Sequence, residues 1–107
     1  MYFNKTKKAM SVFRQYEIMI LLPEELNDHK LKRWVVNYTK NVRQFSICDI
    51  SIISHGKQNL SYPIKNRSKG NYIQLNFVSL PKYIKSFSKI LAMDSSVIRF
   101  SIFNRYL

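Results

Sequence analysis

An α+β fold is predicted for this chain: a four-stranded antiparallel sheet with two helices on one of its faces. Three observations predict it. Four segments alternate apolar and polar residues with the two-residue period of half-buried strands. Two further segments repeat apolar residues at helical spacing. Their order is strand, helix, strand, strand, helix, strand. With right-handed crossovers, that order closes into the ferredoxin-like split βαβ arrangement. A chain of 107 residues makes one such domain with one modest core.

The first strand is residues 16–22 (YEIMILL), ended by Pro23. Alternation puts Ile18, Ile20 and Leu22 on one face and Glu17, Met19 and Leu21 on the other. Acids then cluster at Glu24, Glu25 and Asp28, and Asn27 or Asp28 can cap a helix. Leu31, Trp34, Val35, Tyr38 and Val42 follow as its apolar stripe. Lys40 and Arg43 near its end suit the helix dipole. Residues 47–54 alternate again, with Cys48, Ile50 and Ile52 on one side. The strand continues toward Leu60, with Gly56 as a bulge or bend. The single cysteine, Cys48, has no intrachain disulfide partner and is expected to face the core. Residues 72–78 form the clearest strand: Ile73, Leu75 and Phe77 on one face, Tyr72, Gln74 and Asn76 on the other. Pro81 opens a second helix with Ile84, Phe87, Ile90 and Leu91 as its stripe. After a turn at residues 94–96, residues 97–103 form the last strand, with Arg99, Ser101 and Phe103 on its outer side.

Net charge is +12, from 18 Lys and Arg against 6 Asp and Glu. That excess attracts polyanions and makes the free chain repel itself. It is unevenly placed. Residues 1–15 hold +4 and residues 55–72 hold +4, both without an acid, while residues 16–45 sum to +1. Residues 1–14 read as a basic, flexible extension and residues 15–107 as the single domain. No apolar run reaches the length of a membrane span, and residues 1–15 lack a signal-peptide core, so no membrane partner is expected. Asn, Lys, Ile, Tyr and Phe make up 47 residues, whereas Gly, Ala, Arg and Pro make up 13, the bias of an A/T-rich genome such as an organelle's.

Enzyme chemistry finds no footing. His29 and His55 fall in different elements, and no Cys, His or acid grouping has metal-ligand spacing. There is no phosphate-binding glycine loop, dinucleotide fingerprint or nucleophile elbow. No catalytic residue, metal, cofactor or small-molecule substrate is expected.

Binding chemistry is concentrated in residues 55–72 (HGKQNLSYPIKNRSKGNY), a basic hinge between two strands. Lys57, Lys65, Arg67 and Lys69 are placed to neutralise phosphates and release condensed counterions. Tyr62 is placed to stack on a base or pack in the hinge, and Pro63 to end strand pairing. Arg99 and Arg105 point to the open sheet face or its end, with an ion pair to Glu17 as the rival role for Arg99. The open face, with Met19, Leu21, Tyr72, Gln74 and Phe103, is half apolar and is expected to meet a protein partner.

The stretch Gly56-Lys57-Gln58-Asn59-Leu60-Ser61-Tyr62-Pro63-Ile64 resembles the signature of the bacterial-type small-subunit ribosomal protein six family. There a glycine and basic residues precede Leu, a small residue and Tyr-Pro-Ile. Tyr16-Glu17-Ile18 is similar to the family's opening strand, and Asp94-Ser95-Ser96-Val97-Ile98-Arg99 to the entry of its last strand. The resemblance covers residues 15–106. It implies a structural, non-catalytic protein that binds the central domain of small-subunit ribosomal RNA together with ribosomal protein eighteen. Lys57-Gln58 stands where the family often has two arginines, which costs a charge and the bidentate guanidinium fork. The composition, the basic extension and this divergence suit a plastid (chloroplast) ribosome better than bacterial cytoplasm or another A/T-rich organelle.

Two rival functions have signatures of their own. A generic single-stranded RNA-binding module shares the strand order and is faintly echoed at residues 69–73. It needs stacking aromatics where Gln74 and Asn76 stand. A polybasic membrane-surface or scaffold protein needs a basic amphipathic helix, and neither helix sets a purely cationic face beside a large apolar one.

Overall fold

The computed structural model describes residues 13–45 and 47–105, the last of them by its backbone alone. Its elements are β1 (Arg14–Pro23), α1 (Asp28–Val42), β2 (Ile47–Ile64), β3 (Arg67–Ser79), α2 (Ile84–Ala92) and β4 (Arg99–Arg105). A single 3₁₀ turn, Pro81–Tyr83, leads into α2, with the proline where its missing N–H costs nothing. The sheet order is β2-β3-β1-β4, with every neighbouring pair antiparallel. This is the predicted βαββαβ topology. Of the basic extension expected over residues 1–14, residues 1–12 lie outside the described residues, and Arg14 already pairs with Ser79 in β1.

The core forms where the alternating strand faces meet the two helical stripes. Ile18, Ile20 and Leu22 of β1 and Ile73, Leu75 and Phe77 of β3 are buried against Leu31, Trp34, Tyr38 and Val42 of α1 and Phe87 and Leu91 of α2. Asn27 caps α1, its side-chain oxygen accepting the Lys30 N–H at 2.9 Å. Asp28 in the first turn and Lys40 in the last complement the dipole. Trp34 stacks on Tyr38 at 5.4 Å between ring centroids. Its indole N–H donates to Asp94 Oδ2 at 2.7 Å, while Asp94 Oδ1 accepts the Ser96 N–H at 2.8 Å. One carboxylate thus closes the turn before β4 and ties it to α1. Burial pushes the Tyr38 phenol well above its usual range, and its hydroxyl donates to the Phe87 carbonyl.

Three expectations are corrected. The first is Cys48, which is exposed rather than in the core. Asp49 adopts a left-handed φ of 53°, and the β2–β3 register shifts between Cys48 and Ser51. This bulge flips the alternation, so that Ile47 rather than Cys48 packs toward the core. The second is the hinge, which is continuous strand. β2 and β3 pair out to Ile64↔Arg67, and the chain reverses through Lys65 and Asn66 alone. Both have positive φ, 51° and 63°, as the first and second positions of a type I′ turn require. The third is β4, which begins at Arg99, two residues after the expected start, although the Ile98 N–H already donates to the Leu21 carbonyl at 2.9 Å. The bulge expected at Gly56 is present: its φ is +74°, and the register shifts between Ser54 and Gly56.

Gly70 marks a close approach. Leu21 lies over it, and a Cβ there would overlap Leu21 Cδ1 and come within 3.1 Å of the Leu22 carbonyl oxygen. Leu21 is itself buried, so it has little freedom to withdraw. Gly70→Ala is therefore expected to destabilise the fold by about 1–3 kcal/mol, measured as a lowered urea midpoint. An unchanged midpoint would show that Leu21 repacks freely.

Candidate nucleic-acid interface

β3 pairs with β1 only as far as Pro23↔Gly70, and the hairpin continues beyond it. Residues 58–69 therefore form a two-stranded arm reaching past the end of the sheet. Register assigns its faces. Lys57 stands opposite Asn71, and Lys69 opposite Asn59. Positions 67, 69 and 71 fall on the same side of β3 as Ile73 and Leu75, the side the helices cover. Lys57 and Lys69 line one cleft of about 410 Å³ with Glu24, Gln58 and Asn59. Lys65 sits at the tip of the turn. Among the described residues, none of these three lysines is paired with an acid.

Arg67 is differently employed. Its guanidinium donates to Glu25 Oε1 at 2.5 Å, reaching from the arm to the loop between β1 and α1. That hydrogen bond is the main reason the Glu25 carboxyl titrates below the usual carboxylate range. Its stabilising contribution is present at neutral pH and is lost as pH falls through that lowered pKa. Residues 55–72 contain no acid, yet Glu24 and Glu25 come to them through space, and Arg67, expected to be free for phosphate, is found in an ion pair.

Tyr62 projects toward the opposite, open side. Its hydroxyl accepts from Arg99 Nη1 at 3.0 Å across 37 residues of sequence. Arg99 stands opposite Leu21 in the register, whereas Glu17 stands opposite Phe103, further along β1. The contact that defines Arg99 is therefore the one with Tyr62. Arg105 pairs with Gln15, six residues along β4 from Arg99 and roughly 20 Å away. The structure does not bring it to the arm, and its side chain lies outside the described residues.

The expected partner face divides into two halves. His55 Nε2 and Gln74 Oε1 are 2.8 Å apart, Gln74 donates to Asn76 Oδ1 at 3.0 Å, and Asn76 reaches Ser51 Oγ at 3.5 Å. This polar chain covers the β2–β3 half. Met19 is partly covered and Phe103 is half exposed on the β1–β4 half, with Tyr72 partly covered nearby. Leu21 is a correction: it has the predicted facing but is 1% exposed, packed over Gly70, and offers a partner nothing. A further apolar groove of about 440 Å³ runs between α1 and β2, lined by Leu31, Val35, Val36, Ile52 and Ile73. Its only trace in the sequence is Val36, which falls off the helical stripe and is half exposed. No group of three or more potential metal ligands occurs among the described residues, and no described helix is long and apolar enough to cross a membrane.

Comparison with known proteins fits this arrangement. The family model described as Ribosomal protein S6 matches residues 15–104. The chain is 65% identical to small ribosomal subunit protein bS6c of Phaeodactylum tricornutum over 98 residues, 92% of this chain and all of that protein. It is 55% identical to bS6c of Trieres chinensis over 96 residues, 90% of this chain and again all of the relative. The fold is similar to the crystal structure of 30S ribosomal protein S6 from Thermotoga maritima, with a TM-score of 0.77 at 19% identity over 87% of this chain and 88% of that one. The chain belongs to the ribosomal protein S6 family in its plastid form, a structural and non-enzymatic family of the small ribosomal subunit.

Proposed function

We propose that this protein binds the central domain of small-subunit ribosomal RNA, together with ribosomal protein eighteen, and that the hairpin arm makes the RNA contact. The observation that carries the reading is the arm itself. It projects beyond the sheet and presents Lys65 and Lys69, with Lys57 at its base, to solvent without acidic partners among the described residues. Lysine ammoniums held this way neutralise backbone phosphates as point charges, which gives affinity without base readout. Met19, Tyr72, Gln74 and Phe103 are left as the surface for the protein partner. The chain from Arg14 onward acts as the ribosomal protein domain, and the basic residues before it add an extension. The centre of the open face is held by Gln74 and Asn76, which bond to each other instead of offering rings for bases to stack on, and this disfavours a generic single-stranded RNA module.

The test is binding to a transcribed central-domain fragment, with ribosomal protein eighteen present, over a range of salt. Three phosphate contacts give a log–log slope of about −2 to −3. A flat slope, or failure of the protein to co-sediment with small subunits, would overturn the reading.

A further inference from the structure

The arm is two-stranded, and a lone hairpin is marginally stable in water. Its ladder is also irregular between Asn59 and Ile64, around Pro63, and most of its side chains are exposed. Little in the arm itself fixes where its lysines sit. Two long-range contacts do so, one from each face. On the helix side, Glu25 holds Arg67 across 42 residues of sequence. On the open side, Arg99 holds Tyr62 across 37. Their anchors lie at the ends of regular elements outside the arm: Glu25 is in the turn after β1, two residues before the Asn27 cap of α1, and Arg99 opens β4 opposite the buried Leu21.

We propose that Glu25–Arg67 and Tyr62–Arg99 are a pair of latches that fix the pose of the arm, and that these four side chains are positioning residues for RNA binding by Lys57, Lys65 and Lys69. The proposal rests on the RNA reading above. An arm ordered before binding loses less conformational freedom on the RNA, and that saving appears as affinity. A single exposed ion pair or hydroxyl contact contributes little. Two acting on opposite faces of one thin element constrain it in both directions normal to its plane. Two of the arginines in this region are thereby spent on shape, and the phosphates are left to the lysines.

The test uses the full chain in three variants, each followed by affinity for the central-domain fragment and by hydrogen exchange of the arm amides, residues 58–69. Tyr62→Phe removes only the accepting hydroxyl, and Glu25→Gln removes the carboxylate charge. Each is expected to weaken binding by about 2- to 10-fold and to speed arm exchange, while exchange of the β1 amides stays unchanged. The direction for Glu25→Gln is diagnostic. It makes the protein more cationic, so charge alone would tighten RNA binding. The swap Glu25→Arg with Arg67→Glu keeps net charge and restores the pair in reverse, and is expected to recover both affinity and protection. Tighter binding by Glu25→Gln, or unchanged arm exchange in Tyr62→Phe and Glu25→Gln, would overturn the proposal. So would a swap that recovers protection without affinity, because Arg67 would then be an RNA ligand itself. Failure of the underlying RNA reading looks different: the wild type and a Lys57, Lys65 and Lys69 to Glu variant would bind the fragment equally.

Discussion

Phe87→Ala is expected to lower the unfolding free energy by about 3–5 kcal/mol, the range for removing a buried phenyl ring. Phe87 is fully buried at the point where α2 meets the sheet. Its ring stands edge-on to Phe77 at 5.4 Å and to Phe45 at 5.5 Å, so one truncation removes two aromatic contacts and leaves a cavity bounded by three elements. Collapse into that cavity is resisted, because Phe77 is held in the β3 ladder and Phe45 is wedged against Tyr83. Domains of this size have roughly 5–15 kcal/mol of stability in all, so the variant sits near the edge of folding. Urea unfolding should show a lower midpoint with an unchanged slope, and Tm should fall by roughly 15–25 °C. Phe103→Ala is the control. That ring is half exposed on the open face, and its loss is expected to change stability by under about 1 kcal/mol. Equal effects of the two would mean that the core is not centred where α2 meets the sheet.

The fold was legible because its strong signals are periodic and local. The alternation in β1 and β3 and the stripes of α1 and α2 each report a buried face, and each buried face is found where the period puts it. Two of the three misplacements in the fold, at Cys48 and at the hinge, have a cause in common: a residue with positive φ that is not glycine. Asp49 at φ 53° inserts a bulge that moves Cys48 off the core side, and neither its type nor its spacing announces this. Lys65 and Asn66 make a two-residue hairpin turn without the Asn-Gly or Asp-Gly pair that signals one, so two long strands look like a hinge. Gly56, where the residue type does carry the signal, was read as a bulge from sequence.

The candidate interface was legible as charge but not as geometry. Counting residues 55–72 finds four cations and no acid, yet the acid that binds Arg67 lies 42 positions upstream. The hydrogen bond from Arg99 to Tyr62 is equally nonlocal, since it depends on the arm bending toward β4. Burial of Leu21 follows from Gly70, whose missing side chain makes room for it. A residue's face can be counted along a strand. Its neighbours across three strands follow only from the register and the twist of the sheet.

Reversing Lys57, Lys65 and Lys69 together to Glu is expected to weaken binding to the central-domain RNA by at least about 100-fold near physiological salt and to flatten the salt slope by about 2 to 3. The three positions cover the cleft at the base of the arm and its tip, so the reversal turns the whole projecting surface anionic. Each reversal removes two charges, which takes the chain from +12 to +6 and leaves it a cation that RNA still attracts at long range. Loss of binding therefore reports on placement. The matched control is Lys82, Lys85 and Lys89 to Glu, which makes the same change in net charge on exposed positions in and just before α2. Those lysines belong to a different element from the arm, and their reversal is expected to cost no more than a few-fold and to leave the slope nearly intact. All six positions are exposed, so both variants should keep the native Tm within a few degrees. If the two triple variants weaken binding alike, the RNA responds to total charge and the arm has no special part in it. A loss confined to the arm variant would place the phosphate contacts on the hairpin that reaches beyond its own sheet.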